Sequence, residues 1–380
     1  MTTIAARAVV PFSPPAIGPE EIAEVIATLE SGWLSTGPRV RLFEARFAAY
    51  IRASHALALN SCTAGLHLSL LVSGIGPGDE VITTPFTFFA TANVIVHTGA
   101  TPVFADVDPR TGNLDPAAAE AAITPRTRAL IVVHYGGRPA DVSAFEAIAR
   151  RHGLILIEDA AHCVEGVSGG RKIGTTADFT CFSFYATKNV TTGEGGMVTT
   201  ASAAADERMR IASLHGLTRA AWQRHDGGTV GYDVVMPGFK YNMTDLQAAI
   251  GLHQLAAIDR HLERRRAIAR RYDEGLAGLP IDRFAPLDAV STHAHHLYTI
   301  LVDQRDAVSA RLAEAGIATS VHFPPVHLHS YYTSRFDYAR GQFPHAERIG
   351  ARVLSLPFSP ALTDEQIDAA IAAVRTAVAV

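Results

Sequence analysis

Four stretches of the sequence bring together residue types that can do chemistry. Asp159, in Glu158-Asp159-Ala160-Ala161-His162, follows directly on an apolar run at 154–158. A carboxylate there can pair with a cation, hold a metal or cap the next helix. Lys188 stands just past the run 178–184, in Phe182-Ser183-Phe184-Tyr185-Ala186-Thr187-Lys188-Asn189. A lysine held against an apolar sheet end has its pKa lowered and becomes an amine nucleophile able to condense with a carbonyl. On open surface the same residue is an ordinary solubilising cation. The chain has only three lysines, Lys172, Lys188 and Lys240, and otherwise uses arginine, so each lysine draws notice. Asn60-Ser61-Cys62-Thr63-Ala64-Gly65 lies between the apolar run 56–59 and a helical pattern. Small residues there expose backbone N–H groups that, with the helix dipole, bind a phosphate; alternatively, Ser61 or Thr63 only caps the helix. Thr191-Thr192-Gly193-Glu194-Gly195-Gly196-Met197-Val198 has glycines for a close backbone approach or a sharp strand-entry turn.

These residues need a frame, and the sequence pattern predicts one. Apolar, β-branched and aromatic runs recur at 80–84, 102–107, 129–134, 154–158, 178–184 and 196–200. Most lack polar alternation, as strands buried under helices do. Helical patterns such as 64–74 and 142–153 separate them, the second ending on Gly153, suited to a C-cap. Strand, helix, strand in repetition predicts an α/β protein with a mostly parallel, doubly wound sheet. Ligand sites in such sheets lie at the carboxyl ends of the strands, where Asp159 and Lys188 fall.

Before this block, 19–31 and 39–51 read as amphipathic helices, with Pro19 at a first helical position. After it, Thr244 is a candidate cap for one long helix from Asp245 to about Leu276. A strand at 297–302, a helix at 307–316, a strand at 319–323 and a helix at 364–378 then predict a small C-terminal α/β domain. The expected partition is a large domain over 1–255, including the N-terminal helical segment, and a linker helix with the small domain over 256–380.

Composition narrows the function classes. At about 150 residues per domain, a chain of 380 residues suggests two domains or three. With 48% hydrophobic and 18% charged residues it is neither disordered nor fibrous. The net charge of −4 and the absence of a long Lys/Arg run argue against a nucleic-acid surface. No apolar run reaches 18 residues, and 1–15 has one Arg and no long apolar core, so neither a membrane span nor a secretory signal is expected. Three cysteines without a C-x-x-C pair fit a reducing, cytoplasmic compartment. The chain contains no G-x-x-x-x-G-K-[ST] and no G-x-G-x-x-G after its first strand, which disfavours P-loop and dinucleotide binding.

Taken together, Asp159, Lys188, the Gly-Glu-Gly-Gly turn and the Ser-x-Thr loop resemble the DegT/StrS family of pyridoxal phosphate-dependent sugar aminotransferases. The resemblance extends through Leu34-Ser35-Thr36-Gly37-Pro38, 241–249 and Ser320-Val321-His322-Phe323-Pro324, in order along nearly the whole chain. It implies the type I, aspartate aminotransferase fold and a homodimer with shared active sites. It also implies that Lys188 holds the cofactor covalently and moves a proton between the donor's Cα and the cofactor. Asp159 would pair with the pyridinium nitrogen, where an opposite charge at about 4 Å contributes on the order of 4 kcal/mol at an effective dielectric of 20. Thr63, Ala64 and Ser183 would bind the phosphate, and Phe88 would stack on the ring. His162 stands where many members have Gln as partner to the ring hydroxyl. Asn242 would reach the neighbouring subunit's phosphate. A branch of the family has His in place of the lysine and dehydrates sugars; Lys188 implies transamination.

The implied reaction carries an amino group from L-glutamate to a nucleotide diphosphate-linked keto sugar. The patterns at 241–249 and 322–332 look closest to members acting at C4 of 4-keto-6-deoxy or 4-keto-pentose sugars. Transamination of a 3-keto sugar, an inosose or an eight-carbon keto sugar is the alternative. A non-catalytic binding module of the same fold would be expected to have lost Lys188 or Asp159. His293, His295, His296, His322, His327 and His329 crowd the C-terminal part. Their spacing matches no closed zinc motif, and no metal is expected; His322 has the best claim to touch substrate. The loop 220–237, with Trp222, Arg224 and His225, offers contacts for a nucleotide or a solvated surface.

Overall fold

The six apolar runs and the run at 56–59 all become strands in the computed structural model, which describes residues 10–218 and 233–379. In chain order the strands are β1 (His55–Leu59), β2 (Glu80–Thr83), β3 (Thr101–Phe104), β4 (Thr127–Val133), β5 (Ile155–Asp159), the short hairpin β6 (Val167–Ser168) and β7 (Arg171–Lys172), β8 (Phe179–Ser183), β9 (Gly196–Thr200), β10 (Tyr298–Leu301) and β11 (Val353–Leu356). Seven of them form one sheet in the order β1-β9-β8-β5-β4-β2-β3. The pairs β8–β5, β5–β4, β4–β2 and β2–β3 are parallel, whereas β9 runs antiparallel to both β1 and β8. The architecture is thus α/β with a mainly parallel central sheet.

Both faces of the sheet are buried, and alternate residues serve alternate faces. Leu57, Ile131 and Ile157 pack beneath the helix Cys62–Val72, while Ala58, Leu130 and Leu156 face the opposite layer. That opposite layer includes the helices Pro38–Ile51 and Val142–His152, the latter ending on Gly153 in the left-handed conformation expected of a C-cap.

Two expectations change. The single helix from Asp245 to Leu276 is two helices, Asp245–Ala256 and Ile258–Gly275, meeting at Ala257. The first packs on the helices Pro19–Glu30 and Pro38–Ile51, and the second delivers Ile268 and Tyr272 to the C-terminal core, so a change of direction lets each bury its own apolar face. Thr244 does cap, its Oγ1 accepting the Gln247 amide at 3.3 Å. The strand expected at 319–323 is reduced to one bridge, Ser320 with Ser355, beside the two-stranded sheet β10–β11; Pro324 and Pro325, which follow at once, have no amide to extend a ladder.

The C-terminal core gathers Ile268, Tyr272, Ile300, Leu312, Leu356 and Val374. Val10 joins it from the far end of the chain, its amide donating to the Gly316 carbonyl at 3.1 Å. Among the described residues no helix is long and apolar enough to cross a membrane.

Candidate active site

The carboxyl ends of β4, β5 and β8 and the start of the helix Cys62–Val72 meet around a cavity of about 410 Å³, where an open parallel sheet places its ligands. Of the residues singled out in the sequence, Thr63, Phe88, Asp159, His162, Ser183, Lys188 and His322 line it. Ala64 and Asn242 do not.

Asp159 ends β5 and is buried. Its Oδ2 accepts the Thr91 hydroxyl at 2.8 Å and its Oδ1 the Ala161 amide at 3.2 Å. Burial pushes its pKa up against these hydrogen bonds and the nearby Lys188 charge. A carboxylate in this state stands to gain from a further cationic partner, and a protonated ring nitrogen is such a partner.

Lys188 lies on the turn after β8, its amide donating to the Tyr185 carbonyl at 2.9 Å. It keeps some surface open to the cavity, yet the dense surroundings of its amine lower its pKa to about 8, with Cys62 and Asp159 acting in the opposite direction. About a tenth of such an amine is free at about pH 7, far more than for an ordinary lysine, and the free form is the one that condenses with an aldehyde.

The helix Cys62–Val72 begins at the cavity. Ser61 caps it, its Oγ accepting the Ala64 amide at 3.1 Å, and the Gly65 amide reaches the Ser61 carbonyl at 3.3 Å. The expectation that Ala64 binds a ligand therefore meets an amide already engaged by the cap. The amides of Cys62 and Thr63, first in the helix, have no intrahelical acceptor, and both residues line the cavity. A side chain at Gly196 would collide with this loop, since its Cβ would lie 2.4 Å from the Cys62 nitrogen. The glycine turn therefore lets β9 pass close against the start of this helix. Carboxylate, amine and free helix-terminal amides are the three groups that the ring nitrogen, aldehyde and phosphate of pyridoxal phosphate need, so the residues present fit this cofactor.

Three histidines border the cavity. The Nδ1 of His162 accepts the Gly136 amide at 3.3 Å, so the proton of the neutral ring sits on Nε2. Burial, then the charges of Lys188 and His322, hold its pKa well below the ordinary value. His296 tilts against it with ring centroids 4.2 Å apart. His322 bonds Ser355 through Nδ1 at 2.8 Å, stacks on Phe12, and burial takes its pKa down to about 4. The other histidines disperse: His293 rests on His295, and the Nε2 of His327 meets Glu347 at 3.0 Å.

Phe88 is 48% exposed at the rim and packs on Phe89 and Phe323. Asn242 lies outside the cavity, its Nδ2 donating to the Thr36 Oγ1 at 2.7 Å and its Oδ1 accepting from Lys240 at 2.6 Å. Trp222, Arg224 and His225 lie outside the described residues. Thr91 and His296 reach the site unannounced. Thr91 sits in an apolar helix whose pattern says only that it is buried, and His296 is one histidine in a crowd. Phe12 and Ser13 also line the cavity, brought there from far along the chain.

The whole chain has relatives. The DegT/DnrJ/EryC1/StrS aminotransferase family model matches residues 15–375. The spore coat polysaccharide biosynthesis protein SpsC of Bacillus subtilis is 52% identical over 375 residues, covering 96% of each chain. Among solved structures, Spr1654 of Streptococcus pneumoniae in its PMP form superposes with a TM-score of 0.92 at 35% identity, covering 97% of this chain and 99% of that one. The same protein is also known in a PLP form. The sugar aminotransferase CalS13 of Micromonospora echinospora gives a TM-score of 0.87 at 33% identity, covering 97% and 100%. The chain therefore belongs to the DegT/DnrJ/EryC1/StrS aminotransferase family, and it is a pyridoxal phosphate-dependent sugar aminotransferase.

Proposed function

We propose that the chain moves the amino group of L-glutamate onto C4 of a nucleotide diphosphate-linked 4-keto sugar, working as a cytoplasmic homodimer. One observation carries the assignment of roles: Lys188 and Asp159, at the ends of the neighbouring strands β8 and β5, open on one cavity. Pyridoxal phosphate, when bound, supplies the carbonyl that takes up the amino group and a ring that delocalises the charge left when the donor's Cα loses its proton.

Asp159 keeps the ring nitrogen protonated. His162 donates its Nε2–H to the ring oxygen. Thr63 and Ser183, with the amides of Cys62 and Thr63, take the phosphate oxygens. Phe88 covers a ring face. The amine of Lys188, poised near pH 8, takes the Cα proton and returns it, as an acid–base group works best near the ambient pH. His322, held by Ser355, contacts the substrate. Asn242, absent from its own subunit's cavity, serves the phosphate of the partner subunit.

The sugar class is supported by the likeness to the sugar aminotransferase CalS13 and to SpsC, a protein of polysaccharide biosynthesis. The narrower C4 reading rests on the patterns at 241–249 and 322–332. Three buried free cysteines suit a reducing compartment. The test is to supply the holoenzyme with L-glutamate and, in parallel, a nucleotide diphosphate 4-keto-6-deoxyhexose, a 3-keto sugar nucleotide and an inosose, and to weigh the products. Amination of the 4-keto sugar with release of 2-oxoglutarate is expected; amination of only one of the other acceptors overturns the substrate reading.

A further inference from the structure

Behind the cavity lies a buried polar cluster that the assigned chemistry does not use. Asn189, next in sequence to Lys188, donates its Nδ2 to both oxygens of Glu165 at 2.9 Å and to the Ala294 carbonyl at 2.7 Å. Its Oδ1 stands 3.1 Å from the Nδ1 of His296. Glu165, Asn189 and His296 are all buried, and Arg265 lies 3.8 Å from Glu165 as its counter-charge.

These contacts leave the amide one orientation. Turned over, its oxygen would face a carboxylate and a carbonyl, neither of which can donate. With Oδ1 toward the imidazole, the neutral ring must carry its proton on Nδ1, and Nε2 keeps a bare lone pair. The adjacent His162 is fixed in the opposite tautomer by the Gly136 amide. The same Gly136 accepts the His296 amide through its carbonyl at 3.2 Å, so one residue ties both rings to the cavity wall.

We propose that Asn189, locked by Glu165 and the Ala294 carbonyl, is a positioning residue that holds His296 in the Nδ1–H tautomer and so sets a donor, His162, and an acceptor, His296, side by side in the wall of the cavity that Lys188 shares. The bare Nε2 leaves an acceptor on the ring that lines the cavity together with Lys188. The reversed tautomer would put a second donor there beside His162. The functional half of this inference rests on the role proposed above for Lys188; the tautomer itself does not.

The test begins with the apoprotein labelled with [15N]histidine, its His296 signals assigned with His296→Gln. Multiple-bond 15N–1H spectra should show Nδ1 protonated in the wild type, which needs no variant to fold. Asn189→Leu, close in size but without an acceptor, should move the proton wholly or partly to Nε2. It should also lower kcat in the glutamate half-reaction about tenfold to a hundredfold, the loss seen when a histidine's orienting partner is removed, with little change in KM. Asn189→Asp combined with Glu165→Gln restores an acceptor for His296 and a donor beside it, and should recover the Nδ1–H tautomer and part of the rate. A wild-type His296 protonated on Nε2 overturns the proposal. So does an Asn189→Leu protein whose tautomer changes while its kcat does not, or a double variant that regains the tautomer without any rate. Failure to aminate a 4-keto sugar would leave the apoprotein spectra and the glutamate half-reaction intact, and would strike only the substrate reading.

Discussion

Thr91 donates its hydroxyl proton to the Oδ2 of Asp159 at 2.8 Å. The helix Ala90–His97 thereby reaches across to the end of β5 and holds the carboxylate proposed above to pair with the ring nitrogen. This bond opposes the burial that pushes the Asp159 pKa up, and a hydrogen bond to a charged group contributes about 1.5–3 kcal/mol. Thr91→Val is expected to lower kcat about tenfold to a hundredfold, and Thr91→Ser to keep most of it. Asp159→Asn removes the counter-charge itself, on the order of 4 kcal/mol at an effective dielectric of 20; its kcat should fall about a thousandfold. Steady-state rates of the three variants check the ranking.

Lys188 should reveal its depressed pKa in the way the apoprotein takes up pyridoxal phosphate. Burial favours the neutral amine, so the nucleophilic fraction rises with pH through about 8 and is nearly complete above it. The association rate, followed by absorbance, should climb to a plateau beyond that pH. An ordinary lysine would keep gaining up to about pH 10.4.

Asn242 and Lys188 are expected to serve the same site from different subunits. Lys188→Ala and Asn242→Ala should each be impaired as homodimers. Their hybrid contains one site with an intact lysine from one chain and an intact asparagine from the other; as roughly half the dimers in an equimolar mixture are hybrids, mixing the chains should restore about a quarter of the wild-type activity. Sedimentation of the mixture and its rate are the measurements, and a hybrid no more active than its parents contradicts shared sites.

Glu158, beside Asp159 but turned into the opposite layer, is buried with a pKa raised to about 7 by desolvation, against hydrogen bonds from Thr180 and Gly174. An acid raised in the folded state holds its proton there while the unfolded chain has released its own. Its contribution to stability is therefore lost as pH rises from the unfolded value of 4.5 through about 7. Glu158→Gln should flatten the pH dependence of Tm over this window, read by thermal unfolding at pH 5 and pH 8.

Much of this site was legible in the sequence because strand ends are. Asp159 and Lys188 each follow an apolar run, and runs of that kind in an α/β pattern place the next polar residue at the ligand-binding edge. Thr91 and His296 were not legible, since their roles depend on partners distant in sequence, Asp159 and Asn189, that only tertiary packing supplies. Ala64 shows the limit within a motif: the loop was found, but which amides stay free depends on where the Ser61 hydroxyl turns. The break at Ala257 has no Gly or Pro to announce it, because it answers to two separate cores rather than to local propensity.

Lys188 is proposed to move the Cα proton that lets the bound cofactor take up the amino group of L-glutamate. The most direct measurement is the visible absorbance of the loaded protein before and after L-glutamate, without any acceptor, in the wild type and in Lys188→Ala. The wild type should bleach as the cofactor takes the amino group and regain its colour when the keto sugar nucleotide is added. Lys188→Ala should respond at less than about a thousandth of that rate, the loss of a group required in the transition state. A wild-type spectrum indifferent to glutamate, or a Lys188→Ala protein that bleaches as fast as the wild type, would contradict the account.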